Sequence, residues 1–371
     1  AYNPAPMTSH IKLFNPGPVE VRREILDAQS EWMIGHRGKA FEALYARIQT
    51  GLRQVFGTAS RVFVSTSSGS GLWEAAARNC VSDDPARGVL ALVCGDFSER
   101  WADVFARNGK AVTIQEVARG QANTADSVAA ALRARTVPYD AIAVVHNETS
   151  TGVRNPLAEI VGAIRAHATE TLILVDAVSS LAGDKIDVDG LGLDVTLTSS
   201  QKCFGLPPGL AFAAVSDRAL ARAATIPNRG YYFDFLELEA FGTKNNTPST
   251  PAISLMRALD RQLADMLAEG LERRYARHAA LAQMTREWAK EMGFELFAAP
   301  GFESQTVTVV KNTRKVDVAA LNTSLAAHGL SIADGYGGLK GRTFRIAHMA
   351  DTTVADMREL LAAMTEHLNH G

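Results

Sequence analysis

The sequence predicts an α/β protein, with a mostly parallel seven-stranded sheet carrying helices on both faces and a smaller C-terminal α/β unit. Three observations lead there. Seven apolar, β-branched runs recur between residues 61 and 216. Helix-patterned segments separate several of them. The pattern then changes after a loop-rich stretch, GTKNNTPSTPAIS, at 242–254. Near-continuous apolar strands alternating with helices belong to a sheet covered on both faces.

In chain order, the expected strands are RVFVST (61–66), VLALVCG (89–95), AVTIQEV (111–117), AIAVVHN (141–147), TLILVDA (171–177), DVTLTSS (194–200) and GLAFAAVS (209–216). Between them lie the helical patterns GLWEAAARNCV, RWADVFARNG, SVAAALRARTV and PLAEIVGAIRAHA. A long helical segment follows from about Ile253 to Gly293, broken near Gly270. Strand-like ESQTVTVV, helix-like VDVAALNTSLAAHG, strand-like TFRIAHM and a final helix, Thr353–Leu368, complete the smaller unit. There is no internal repeat and no low-complexity tract.

Composition excludes several classes. The chain has 371 residues, 47% hydrophobic and 21% charged, with a net charge of −2. That suits a soluble globular protein of about two domains and, without a basic cluster, argues against nucleic acid as the main partner. No apolar stretch approaches the ~20 residues of a membrane helix, and the N-terminal AYNPAPMTSHIKLFNPGP lacks a signal-peptide core. Cys80, Cys94 and Cys203 are odd in number and lack CxxC spacing, so neither a disulfide framework nor a zinc site is expected. No metal is expected, and a cytoplasmic location is.

Sheets of this kind bind ligands beyond the carboxyl ends of their strands, and those ends carry a constellation. The first strand runs into Ser65-Thr66-Ser67-Ser68-Gly69-Ser70-Gly71 and then a helix, a combination that offers free N–H groups to phosphate. A dinucleotide fingerprint is the rival there, but Glu74 stands where its third glycine belongs. The second strand ends at Phe97, which can stack on a flat ring or simply join the core. The fifth delivers Asp176 from an apolar run, where it either caps the following turn or faces a cationic ring nitrogen. Lys202, the only charged residue between Asp194 and Asp217, follows 26 residues after Asp176. An isolated lysine in such surroundings can lose its proton and form an imine. Phosphate cradle, aromatic, aspartate and lysine together are the parts of a pyridoxal phosphate (PLP) site.

The chain is similar to the class V aminotransferases of PLP fold type I. The motifs are FNPGPV (14–19), GHRGKAFEALY (35–45), SSGSGLWEAA (67–76), CGDFSERW (94–101), HNETSTGV (146–153), VDAVSSLAG (175–183), SSQKCFGLPPGLAF (199–212) and KGRTFRIAHMAD (340–351). They stand in the family's order and most resemble the alanine–glyoxylate and serine–pyruvate or serine–glyoxylate enzymes. The resemblance implies a large PLP-binding domain over 20–252 and a small domain made of 1–19 and 253–371. It implies that Lys202 carries the coenzyme, with Asp176 against the pyridine nitrogen, Phe97 and Val178 on the two ring faces and Thr149 near the ring hydroxyl. Ser68, Gly69, Ser70 and Gln201 would hold the phosphate, joined by Asn246 and Thr247 from the other subunit of a homodimer. Arg345 would bind the substrate α-carboxylate, with Gly17, His36 and Arg37 also at the substrate.

The implied reaction moves an amino group between a small amino acid, alanine or serine, and glyoxylate or pyruvate. His36-Arg37 is also similar to the phosphate-binding stretch of phosphoserine aminotransferases, although their C-terminal basic motif is not recognisable in GYGGLKGRTFRIAHM. Phosphoserine therefore stays as an alternative substrate, and a PLP-dependent lyase or hydrolase as an alternative reaction. A desulfurase is disfavoured because no cysteine follows Cys203. A coenzyme-binding regulator would need a DNA-binding module, for which no segment is left over.

Overall fold

The protein is described from a computed structural model over residues 10–370; residues 1–9 and 371 of the expected small domain lie outside the described residues. All seven expected strands form one sheet: β1 (Val62–Ser65), β2 (Val89–Val93), β3 (Val112–Glu116), β4 (Ala141–Val145), β5 (Leu172–Asp176), β6 (Val195–Ser199) and β7 (Ala211–Val215). Their order in space is β1-β7-β6-β5-β4-β2-β3. The pairs from β6 through β3 are parallel, whereas β7 is antiparallel to both its neighbours. Residues 200–210, which join β6 to β7, contain no helix. A parallel return needs a crossover of about a dozen residues or more, so this link turns the chain straight back.

Alternate strand residues feed two apolar layers, as the two-residue period requires. Leu90, Leu92, Ile142, Val144, Ile173 and Val175 join one cluster with helices α1 (Lys39–Phe56), α4 (Ala125–Arg133) and α5 (Leu157–His167). Val89, Ala143, Val145, Leu172, Leu174 and Leu197 join the other with α2 (Gly69–Cys80) and α3 (Asp96–Arg107). The sequence reading did not single out α1, whose Phe41, Leu44, Ile48, Leu52 and Val55 form its buried stripe. Fully burying such a side chain contributes about 1.5–3 kcal/mol. Edge strand β3 is different: Ile114 is 56% exposed. Two short helices after β7, α6 (Asp217–Thr225) and α7 (Phe235–Gly242), were also not expected.

The expected long helical segment is two helices, α8 (Ile253–Glu269) and α9 (Leu271–Glu291), broken at Gly270. A four-stranded antiparallel sheet follows, ordered β8-β9-β11-β10 from β8 (Glu295–Leu296), β9 (Val307–Lys311), β10 (Ala333–Asp334) and β11 (Thr343–Ala347). Helices α10 (Val318–Ala327) and α11 (Val354–His370) pack with it around Phe344, Ile346, Leu321 and Leu360. The N-terminal segment joins this half: Lys12–Leu13 pairs parallel with Leu330–Ser331. It then returns to the large sheet, where Val19 N–H donates to the Gln201 carbonyl at 3.2 Å. That crossing brings Gly17 to Lys202. Among the described residues no helix is long and apolar enough to cross a membrane.

Candidate active site

A cavity of about 210 Å³ opens beyond the carboxyl ends of the large sheet. Ten residues singled out from the sequence line it: Gly17, Ser68, Gly69, Ser70, Phe97, Thr149, Asp176, Val178, Gln201 and Lys202. They come from segments more than 180 residues apart, and the strand order of the sheet brings them together. A second cavity, about 250 Å³, lies beside Lys12 and Phe14. Its basic groups are already engaged, Lys12 with Asp356 at 2.6 Å and Arg22 with Asp351 at 2.6 Å.

Asp176 ends β5 and is 4% exposed. Its carboxylate accepts from Trp73 Nε1 at 2.7 Å and from the Val178 N–H at 2.7 Å. Burial pushes its pKa up to about 6, while these two donors pull the other way. Among the described residues no cation lies within ion-pair distance of it. A buried carboxylate without a counter-ion is costly, so this one is suited to a cationic ligand group.

Lys202 sits in the turn after β6, 9% exposed, and its ammonium donates to the Pro16 carbonyl. Burial, reinforced by the Arg345 charge, lowers its pKa to about 8. Gly17 has φ +116°, and a Cβ there would lie 2.5 Å from Lys202 Nζ, so the close approach of this loop to the lysine requires glycine. The turn is held from behind by Arg274, whose Nη2 donates to the Cys203 carbonyl at 2.9 Å. The same buried guanidinium pairs with Asp351 at 2.8 Å and Glu269 at 2.9 Å, and this pairing holds the Asp351 carboxyl down at about 2. A buried charge satisfied on all sides fixes geometry, whereas removing one partner is strongly destabilising.

The residues fit a phosphate-bearing aromatic group. Helix α2 starts at Gly69 without a side-chain cap; the Gly71 N–H donates to the Ser68 carbonyl at 3.0 Å, and the Gly69 and Ser70 N–H groups remain available for an anion. Ser199 Oγ, Gln201 Oε1 and Asn147 Oδ1 are buried without a partner, although such atoms are nearly always bonded. All three residues line the cavity. Phe97 and Val178 supply the apolar walls. Phe97 is held by Glu148, whose buried carboxylate accepts from the Phe97 N–H at 3.3 Å, the Ser98 N–H at 2.9 Å and Ser150 Oγ at 2.6 Å.

Sequence reasoning missed Trp73, Asn147, Ser179, Ser199, Tyr336 and the supporting Glu148. Trp73 had a signal, since it lies one helical turn beyond Gly69 and so above the strand ends. Tyr336 had none, because only the approach of the two sheets brings it in. Arg345, on β11, does not line the cavity but lies beside it, close enough for its charge to depress Lys202. Its Nε donates to the Asp334 carbonyl at 2.9 Å, and its guanidinium lies 5.4 Å from the Tyr336 ring centre.

His36, Arg37, Asn246 and Thr247 are not brought to this cavity within the chain. They meet one another instead. Arg37 Nη1 donates to Asn246 Oδ1 at 2.6 Å and to the Thr247 carbonyl at 2.5 Å, and Nη2 donates to the Pro248 carbonyl at 3.0 Å. His36 Nε2 lies 3.5 Å from Thr250 Oγ1. The reason is local: residues 35–38 lead into α1, and α1 packs on α8, which the 243–252 loop enters.

Known proteins share the whole arrangement. The chain is 33% identical to a serine–glyoxylate aminotransferase of Methylorubrum extorquens, across 91% of this chain and 86% of that one. It is also 33% identical to an L-aspartate–glyoxylate aminotransferase of Paracoccus denitrificans, across 94% and 89%. Among solved structures, an alanine–glyoxylate aminotransferase from Nostoc sp. superposes with a TM-score of 0.90 at 28% identity, covering 99% of this chain and 98% of that one. The fold is thus that of the PLP fold type I enzymes, as the motifs implied. The profile of the family described as aminotransferase class-V matches residues 14–349, nearly the whole of the described chain, and the protein belongs to that family of transaminases.

Proposed function

We propose that this transaminase uses pyridoxal phosphate to move an amino group between a small amino acid, alanine or serine, and a 2-oxo acid, glyoxylate or pyruvate. The observation that carries the reading is the meeting of Lys202, lowered to about 8, and Asp176, raised to about 6, in one cavity with an uncapped helix start. The three relatives named above share glyoxylate in their names and differ in the amino donor. That pattern supports glyoxylate as acceptor more strongly than any one donor.

When bound, the coenzyme supplies an electron sink for the substrate's α-carbon. The chain's residues do the rest. Ser68, Gly69, Ser70 and Gln201 would bind the phosphate, and Phe97 and Val178 would hold the ring between them. Thr149 would lie near the ring hydroxyl. Asp176, as a carboxylate, would keep a proton on the ring nitrogen. Lys202 would hold the coenzyme at rest and, once free, carry a proton at Nζ as general acid–base. Arg345 would orient the substrate α-carboxylate, with Gly17 leaving room beside the lysine. Trp73 and Glu148 fix the orientations of Asp176 and Phe97.

Asn246 and Thr247, which meet Arg37 rather than their own cavity, would complete the phosphate site of a second copy, making a homodimer with shared sites. The division into a large unit, 20–252, and a small one, 253–371 with the N-terminal segment, is part of the same reading. It is supported by an apolar cluster around Phe344, Ile346 and Leu360 that belongs to the second sheet alone, while Val307, Val309, Ala347 and the Ile253–Met266 face of α8 pack into the large sheet's cluster and tie the two units together. A cytoplasmic setting accords with three buried free cysteines.

A donor-by-acceptor activity matrix tests the reading. Product amino acid should form only when donor and 2-oxo acid are both supplied, with the parallel double-reciprocal lines of ping-pong kinetics. Donor alone should release at most one equivalent of 2-oxo acid per site and no ammonia; continued turnover of donor alone, with ammonia released, would instead indicate a lyase or hydrolase.

A further inference from the structure

Among the described residues, Tyr336, between β10 and β11, is the one residue of the second sheet's loops that lines the cavity. Its ring stacks on Phe97, with centroids 4.9 Å apart and planes at 29°. Its hydroxyl accepts from Arg100 Nη2 at 2.5 Å, and the Arg345 guanidinium lies 5.4 Å from its ring centre. The tip of this loop is therefore docked on the first turns of α3.

The base of the loop is also pinned. Asp334 Oδ1 accepts from the Gly335 N–H at 2.7 Å and the Gly341 N–H at 2.9 Å, and the Asp334 carbonyl accepts from Arg345. Gly337 has φ +54°, and a Cβ there would lie 2.8 Å from Asp96 Oδ1, so the loop crosses α3 as closely as its backbone permits. The tyrosine side chain is consequently a fixed part of the cavity wall, held at both ends of its loop.

We infer that Tyr336 is a specificity-determining residue, a roof that limits the substrate side chain to a few atoms. This rests on the aminotransferase reading, in which Arg345 takes the α-carboxylate. A substrate held there must send its side chain past the ring that covers Arg345. A short side chain fits beneath the Phe97–Tyr336 stack, and a branched or aromatic one must displace the ring. An apolar wall discriminates on the order of 10- to 200-fold per methylene.

The test compares phenylalanine with alanine as donors to glyoxylate, using coenzyme-loaded wild type, Tyr336→Ala and Tyr336→Phe. The ratio of their kcat/KM values cancels any loss common to both, including one from disturbing Arg345. Tyr336→Ala should raise the phenylalanine-to-alanine ratio at least tenfold, and Tyr336→Phe, which keeps the ring, should hold it near wild type. Calorimetric binding of phenylpyruvate and pyruvate gives the same comparison without turnover, and Tyr336→Ala should shift the ratio of dissociation constants at least tenfold toward phenylpyruvate. Unchanged binding and kinetic ratios in Tyr336→Ala would overturn the roof, as would a Tyr336→Phe shift equal to that of alanine. Shifted binding ratios in a protein that transaminates nothing would sustain the roof and remove the aminotransferase reading of the cavity.

Discussion

Arg345 lies against the cavity, 9% exposed, with one hydrogen bond to a carbonyl and no carboxylate within ion-pair distance among the described residues. Burial lowers its pKa from the usual guanidinium value. Arg37 lies outside the cavity, making three hydrogen bonds to the 246–248 loop and resting 5.4 Å from the Phe241 ring centre. Both arginines stood among the candidate substrate groups. One is left short of partners where a substrate would enter, and the other is occupied by its own chain. The first arrangement serves a ligand; the second shapes a surface, and serves a ligand only if a neighbouring copy brings one to it.

The largest effect should come at the centre of the first region. Lys202→Ala should lower turnover at least a thousandfold, in the upper part of the roughly 10²–10⁴ attributed to a positioned acid–base. The variant should still bind pyridoxal phosphate, but borohydride should no longer fix it to the chain. Fixation on another lysine would remove Lys202 from its role.

Arg345→Ala should follow. A charge-assisted hydrogen bond is worth roughly 1.5–3 kcal/mol, and a bidentate arginine makes two. At ~1.4 kcal/mol per tenfold, kcat/KM should fall about a hundredfold or more for every donor alike. A loss confined to one donor would mean that Arg345 reads the side chain rather than the α-carboxylate.

Asp176→Asn should cost about ten- to a hundredfold, the value of a single charge-assisted bond, and clearly more than Asp176→Glu. The amide cannot hold a ring nitrogen protonated, whereas glutamate can at some geometric cost. Wild-type turnover by both variants would leave Asp176 as the cap of its turn.

The depressed lysine also sets a pH dependence. With a folded pKa of about 8 against the ordinary 10.5, the neutral, reactive amine gains population as pH rises through 8 and is nearly complete above it. Attachment of pyridoxal phosphate to the coenzyme-free protein should therefore speed up about tenfold between pH 7 and 9 and then level off. A rate still climbing beyond pH 10 would show that burial does not depress Lys202.

The smallest effect on small donors belongs to the second region. Arg37→Ala removes exposed hydrogen bonds worth about 0.5–1.5 kcal/mol each, so it should loosen the 246–248 loop and weaken self-association measured by sedimentation. Alanine and serine turnover should fall only mildly. Robust wild-type turnover of phosphoserine with 2-oxoglutarate, abolished in Arg37→Ala, would reverse the comparison and make phosphoserine the substrate. A fully active monomer would break it differently, by removing the neighbouring copy.

Much of this was legible in the chain before any fold. An apolar β-branched run such as TLILVDA is a buried strand because only a covered sheet tolerates it, and an isolated Lys202 or a carboxylate at the end of such a run declares its own chemistry. Those are local properties, written in consecutive residues. Tertiary structure alone decided that β7 turns back antiparallel, that Trp73 and not a cation reaches Asp176, and that Tyr336 covers Arg345. It also decided that Arg37 spends its donors on Thr247 and Pro248. Each depends on groups tens to hundreds of residues apart, and their meeting follows from strand order and helix packing, which no local pattern of residues encodes.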